Sequence, residues 1–479
     1  MLIITLLVPF ILGLAVFFAV IGKDHQNYQF IEKLAASFAI GIGILSILMF
    51  ILARLNIPLT FIHIIIVAGL LTSILGLIAI FRVRAIPTKI PKTKDPGYKF
   101  LEYLLFFLIS LKVIFVFFTA LIKPLVDVDA FQQYSIVAKG MFFDKTFLLS
   151  YLEPCMGDKP PFPYMTQAWT FISLGQINDA LSKIFYPFLF LCFMVLFYSA
   201  LKRKLSRFFS LFFTFLLSTL PFLVFHASTA YADLSITFYF SIGTIYLFLF
   251  MQEAKTQESF PDLFLAMLFL GLTIWIKKAG LVLVAINFAV FSCFIFKEKL
   301  FAKDNLKKMV SAFVIFLIIA LPWISYGKMQ SLVTISKSMV GIENPNAAIT
   351  KTNEISLIDK LGTTAAIFSK KVFLYADWHL LYLLFFITII FFYKQVLKNI
   401  YLLTIVLADL FIIIVQFQSG EMFRWLLDGT LLDRLLMNQA PLILFFCAQV
   451  IAQNSGDKNP PQNPITNKYN SSKKQHRLS

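Results

Sequence analysis

Two carboxylates, Asp127 and Asp129, stand two residues apart in the stretch PLVDVDAFQQY (124 to 134), directly after a long run of Leu, Phe, Ile and Val. A carboxylate at the edge of a hydrocarbon layer is a candidate general base, because partial desolvation strengthens it as a proton acceptor. Asp129 is also followed three residues later by Gln132, the spacing of a helix capping box, so capping and proton abstraction both stay open. Asp127 can share the base role or join Asp129 on a divalent ion, although a D-x-D without further ligands does not define a metal site. Cations recur elsewhere: Lys277 and Lys278 in IKKAG, and Arg434 beside Asp433 in LLDRLL. Near an acidic loop they can hold an anion such as a lipid phosphate, lysine as a point charge and arginine through paired hydrogen bonds. Their alternative role is snorkelling toward headgroups. Tyr231 and Asp233 open another apolar run just after His226, where Asp233 can instead complement a helix dipole. Tyr375, Asp377 and His379 form a second cluster of this kind, and the five histidines are too dispersed for a metal-ligand motif.

The elements that must position these groups are membrane helices. Of 479 residues, 59% are hydrophobic and 14% charged, with a mean hydropathy of +0.82, which excludes a soluble globular domain. Thirteen apolar runs, the first at 2 to 21 and the last at 435 to 452, approach the roughly 17 to 25 residues that cross a bilayer. The expected fold is an all-α polytopic bundle of about thirteen spans. The first run has no basic flank and no small-residue cleavage site, and reads as a retained helix. Basic loops at 82 to 99, 202 to 207, 297 to 308 and 393 to 399 fall on one side if the spans alternate, giving an external N-terminus and a cytoplasmic C-terminus. The net charge of +17 is therefore a topology signal and no nucleic-acid footprint. Cys155 stands in a loop and Cys192, Cys293 and Cys447 in spans, which supports neither a disulfide framework nor a thiolate metal site. The GIG at 41 to 43 lies in a membrane helix and carries no dinucleotide-binding weight.

With these sides assigned, Asp127, Asp129, the GDKPP at 157 to 161, Tyr231, Asp233, Lys277, Lys278, Asp433 and Arg434 all fall on the external face. Three regions follow: 1 to 99, three spans and a basic loop; 100 to 452, the transmembrane region that carries the candidate residues; and 453 to 479, a disordered basic tail. The external loop 123 to 183 is expected to carry two interfacial amphipathic helices, at 129 to 143 and about 164 to 174, with Trp169 as a headgroup anchor. The external loop 326 to 372 is long enough for a lid. Lys112 and Asp409, deep in spans four and twelve, are expected to pair across the bundle.

VDAFQQY, DKPPFPYMTQAW, YADLSITFYF, the lysine of IKKAG and LLDRLLMNQAP, in this order, resemble the GT-C class of membrane glycosyltransferases, in the branch of protein O-mannosyltransferases and lipid A aminoarabinose transferases. The resemblance covers roughly 100 to 450. It implies a GT-C-like fold and transfer of a sugar, with inversion, from a polyprenyl-phosphate donor to a lipid, glycan or protein acceptor outside the bacterial inner membrane. It further implies Asp129 as the base, Lys277, Lys278 and Arg434 as holders of the donor phosphate, and Asp158, Lys159, Gln167, Tyr231, Asp233 and Asp433 around the sugars. A divalent metal is the one cofactor left open. The chain departs from the family pattern twice: Ala279 stands where an acid is expected after the hairpin lysines, and Val128 where a tryptophan precedes the first acid. The competing reading is a transporter or flippase of a lipid-linked sugar, which would place its working polar groups near the bilayer midplane.

Overall fold

The computed structural model describes residues 1–83, 97–147, 159–254, 259–339 and 356–455, with the backbone alone given over 327–339 and at 455. Among these residues every regular element is helical. The chain forms α1 (Leu2–Ile21), α2 (Phe30–Arg54), α3 (Phe61–Val83) and α4 (Phe100–Ile122), then a π-helical turn (Asp129–Ser135) leading into α5 (Ile136–Asp144). It continues through α6 (Phe162–Leu174), α7 (Phe185–Lys202), α8 (Arg207–Thr219), α9 (Pro221–Ala227), α10 (Ala232–Glu253), α11 (Phe260–Ile276), α12 (Ala279–Glu298) and α13 (Lys303–Met339). The C-terminal part holds α14 (Leu357–Phe373), α15 (Leu381–Phe391), α16 (Tyr393–Lys398), α17 (Ile400–Gln416), α18 (Gly420–Leu427), α19 (Leu432–Leu436) and α20 (Ala440–Ser455).

Among the described residues eight helices are long and apolar enough to cross a membrane, or ten if the bent pairs α8 with α9 (71°) and α17 with α18 (98°) each count as one. The chain is thus a multi-pass helical membrane protein. Three further runs of the expected thirteen form shorter apolar helices, α11, α15 and α20. The run at 373 to 393 is broken, because α14 ends at Phe373 and a tight turn at Ala376–Trp378 precedes α15. At the bend after α8, Leu220 is extended, as a residue before proline prefers, and Pro221 opens α9.

The bundle is built around α10, which is apolar on every side and buried along the membrane-spanning stretch, as such a helix must be. It packs antiparallel on α11, and α7 lies beside it. By contrast, α3 and α4 turn most of their apolar surface outward, as contact with lipid chains requires. The glycines at 41 to 43 serve helix packing: a Cβ on Gly41 would stand 1.7 Å from the carbonyl oxygen of Pro9, so only glycine lets α1 and α2 touch backbone to backbone.

Three expectations are corrected. Helix α6 is not interfacial, since all of it but Leu174 is buried. Trp169 is buried, donates its indole N–H to the carbonyl of Thr5 at 2.9 Å and stacks on Phe61. The helix tolerates burial because Thr166, Thr170 and Ser173 bond their hydroxyls back to its own carbonyls. The loop at 326 to 372 is helical at both ends, in α13 as far as Met339 and in α14, and 340 to 355 lie outside the described residues. Lys112 and Asp409 do not pair: α4 packs on α7 and α8, whereas Asp409 of α17 accepts a hydrogen bond from Gln439 at 2.7 Å. The neutral amide reaches one oxygen of the buried carboxyl, and the other oxygen has no partner.

Candidate functional site

Four charged side chains from distant parts of the chain meet at one end of the bundle. Asp233 lies in the first turn of α10, after Tyr231 in extended backbone, and its carboxylate is buried at 1% exposure. Lys277 follows the last residue of α11 in extended conformation. Gly280 lets α12 start directly against that end, since a Cβ there would come within 2.4 Å of the Thr273 carbonyl oxygen. The antiparallel pairing of α10 and α11 then brings Lys277 Nζ to 2.8 Å from Asp233 Oδ1. Arg434, in the short helix α19, donates through Nη2 to Asp233 Oδ2 at 2.8 Å and through Nη1 to Asp129 Oδ2 at 2.7 Å. The guanidinium lies 5.3 Å from the centre of the Tyr231 ring.

Asp129 is held from its other side. It begins the π-helical turn, and its Oδ1 accepts a hydrogen bond from Gln133 Nε2 at 3.1 Å, while Lys159 donates to Gln133 Oε1. Its carboxylate therefore faces Gln133 and Arg434, and of the two readings left open for it the capping box with Gln132 does not form. Wide turns of this kind are frequent where a side chain must be re-aimed. Ala130, Tyr134, Val137, Ala138 and Met141, apolar residues at the spacing of one helical face, are buried, and the polar Ser135 is buried with them.

Two carboxylates and two cations make the cluster formally neutral. Burial works against the charge of Arg434, but Asp233 and Asp129 outweigh it and hold the guanidinium well above even its usual range. Burial, reinforced by Asp233, also pushes the Tyr134 phenol well above its ordinary value, so this hydroxyl stays protonated beside the cluster.

The remaining candidates are distributed around this centre. Asp127 pairs with Lys123 at 3.0 Å, one helical turn earlier, which leaves it outside the Arg434 network. Asp433 turns away from its neighbour: Lys371 of α14 reaches its Oδ2 at 2.5 Å and Trp378 its Oδ1 at 3.4 Å. Lys278 is exposed in the hairpin turn. Gln167 is fully buried in α6, beside the Tyr186 hydroxyl and outside the Arg434 network. Asp158 lies outside the described residues. Gln133, Tyr134 and Lys371 escape a reading of the sequence, although Gln133 sits one turn after Asp129, the spacing at which helical side chains meet.

Chemically, the site offers a partly open carboxylate beside two cations anchored on a buried third group. Among the described residues no group of three or more His, Cys, Asp or Glu is placed to hold a metal ion, and Asp129 and Asp233 already share a guanidinium. Comparison of the chain with family models, with curated proteins and with solved structures gives no match.

Proposed function

We propose that the protein is an integral-membrane glycosyltransferase of GT-C type, transferring a sugar from a polyprenyl-phosphate donor to an acceptor hydroxyl on the extracytoplasmic side of the bacterial inner membrane. The supporting observation is the junction of Asp129, Arg434, Asp233 and Lys277 at one end of the helices. In this reading the acceptor oxygen attacks the anomeric carbon from the face opposite the phosphate, which gives inversion. The bond from that carbon to the phosphate oxygen breaks, and its electron pair leaves with the phosphate. The hydroxyl proton passes to Asp129. Lys277 and Arg434 offset charge growing on the leaving group, where prearranged cations are most effective. The polyprenyl chain lies along outward apolar helices such as α4, and no nucleotide is needed. The acceptor is a lipid, a glycan or a protein.

The test is mass spectrometry of envelope glycolipids and glycans from cells with and without the protein, followed by transfer with purified protein and a labelled polyprenyl-phosphate sugar. Loss of one sugar substituent without the protein, restored by the purified chain, supports the reading. Unchanged glycans, with no transfer in vitro, sink it.

A further inference from the structure

We infer that Asp129 occupies the place of the donor phosphate on Arg434, so that the arriving phosphate displaces it and thereby frees the base. The identity of the anion rests on the glycosyltransferase reading; the displacement rests on geometry. Arg434 uses its two terminal nitrogens for two different carboxylates. The contact with Asp233 is sealed, that carboxylate being 1% exposed and gripped by Lys277 as well. The contact with Asp129 is open, its side chain 23% exposed and that of Arg434 20%. An anion entering from the open side therefore meets the Nη1 edge of Arg434, with Lys277, 28% exposed, held nearby through the same aspartate. Asp233 is the positioning residue that keeps the two cations together.

Displacement does not release Asp129 into solvent. Gln133 keeps its hydrogen bond to Oδ1, and Lys159 holds Gln133 from behind. What Asp129 loses is the guanidinium on Oδ2, the partner that occupies the oxygen to which a hydroxyl proton would pass. Without donor that oxygen is occupied by Arg434, and with donor it is open, which imposes an order: phosphate first, proton abstraction second.

The test uses the full chain in lipid nanodiscs with undecaprenyl phosphate, carrying no sugar, as the probe. Because Asp129 competes for Arg434, Asp129→Asn should bind this lipid roughly five- to tenfold more tightly than the wild type, a coupling of ordinary size. Asp233→Asn should bind it more weakly. Inorganic phosphate, measured in parallel, should show the same ordering at lower affinity; phosphate binding without lipid binding overturns the assignment to a lipid-borne headgroup. On the wild type, infrared difference spectra on adding the lipid should show an aspartate carboxylate band leaving its ion-paired position, a readout that needs no variant to fold. Equal or weaker binding by Asp129→Asn, or no carboxylate change in the wild type, overturns the displacement. Loss of transfer in Asp129→Asn without a gain in phosphate affinity refutes the displacement and leaves the base assignment standing.

Discussion

Arg434 has a counterpart near the opposite ends of α10 and α11. Arg203, just after α7, donates to Glu32 of α2 at 2.7 Å and to Asp262 of α11 at 2.8 Å, with the rings of Tyr28 and Tyr246 at 5.0 and 5.3 Å. Both clusters are an arginine bridging two carboxylates over aromatic rings, and they differ in what occupies the remaining positions. Around Arg203, phenol hydroxyls close the set: Tyr28 donates to Asp262 and Tyr246 to Glu32, each at 2.8 Å, while the backbone N–H of Gln29 caps the other oxygen of Glu32. Around Arg434, Asp233 shares its second oxygen with a half-exposed lysine, Asp129 is open, and the guanidinium Nε is buried with no partner. A set of charges closed by fixed hydroxyls ties helices together. A set with replaceable members can take a ligand.

The contrast can be broken from either end. Asp129→Asn should lower transfer by about 10²- to 10⁴-fold, the contribution of a positioned base, with insertion and thermal stability unchanged; transfer at the wild-type rate would remove Asp129 from the mechanism. Arg203→Ala should act on the fold, because Glu32 and Asp262 then stay buried without a counter-charge, a loss of about 3–5 kcal/mol visible as a lower midpoint of thermal unfolding in detergent. If that midpoint does not move, the cluster is no clamp. Lys277→Ala removes a charge-assisted bond worth about 1.5–3 kcal/mol and should weaken polyprenyl-phosphate binding accordingly. Unchanged affinity would return Lys277 to a snorkelling role. The smallest and sharpest comparison is Tyr246→Phe against Tyr231→Phe. The first deletes a buried hydroxyl bonded to a carboxylate and should cost about 1–2 kcal/mol of stability. The second keeps the ring under Arg434 and loses only a hydrogen bond with the Asp129 backbone at a part-exposed hydroxyl, and should cost about 0.5 kcal/mol. Equal costs would erase the distinction between the two ends.

Much of the architecture is legible in the sequence because hydrophobicity in a membrane protein is locally written: α1, α2, α3, α4 and α10 lie close to where their apolar runs place them. Legibility fails where the same apolar signal has two meanings. Helix α6 has the composition of an interfacial helix, but its hydroxyls satisfy its own carbonyls, and it packs inside the bundle. For the candidate site, residue types at the ends of runs single out Asp129, Asp233, Lys277 and Arg434, whereas the bonds among them depend on which helices neighbour one another. The same limit hides the Arg203 cluster. Glu32, Arg203 and Asp262 read separately as topology charges, and only the packing of α2, α7 and α11 joins them. Lys112 and Asp409 show the converse, two charges read at matching depth whose helices pack mainly on other neighbours.

The π-helical turn from Asp129 to Ser135 leaves its mark on how this chain can vary. Successive residues of a helix are about 100° apart around its axis. Deleting one residue between Asp129 and Tyr134 would therefore swing the carboxylate away from Arg434 while the buried face of α5 stayed in place. Single-residue deletions in this segment should thus be tolerated worse than most substitutions, and length here is as much an inherited requirement as the acid itself.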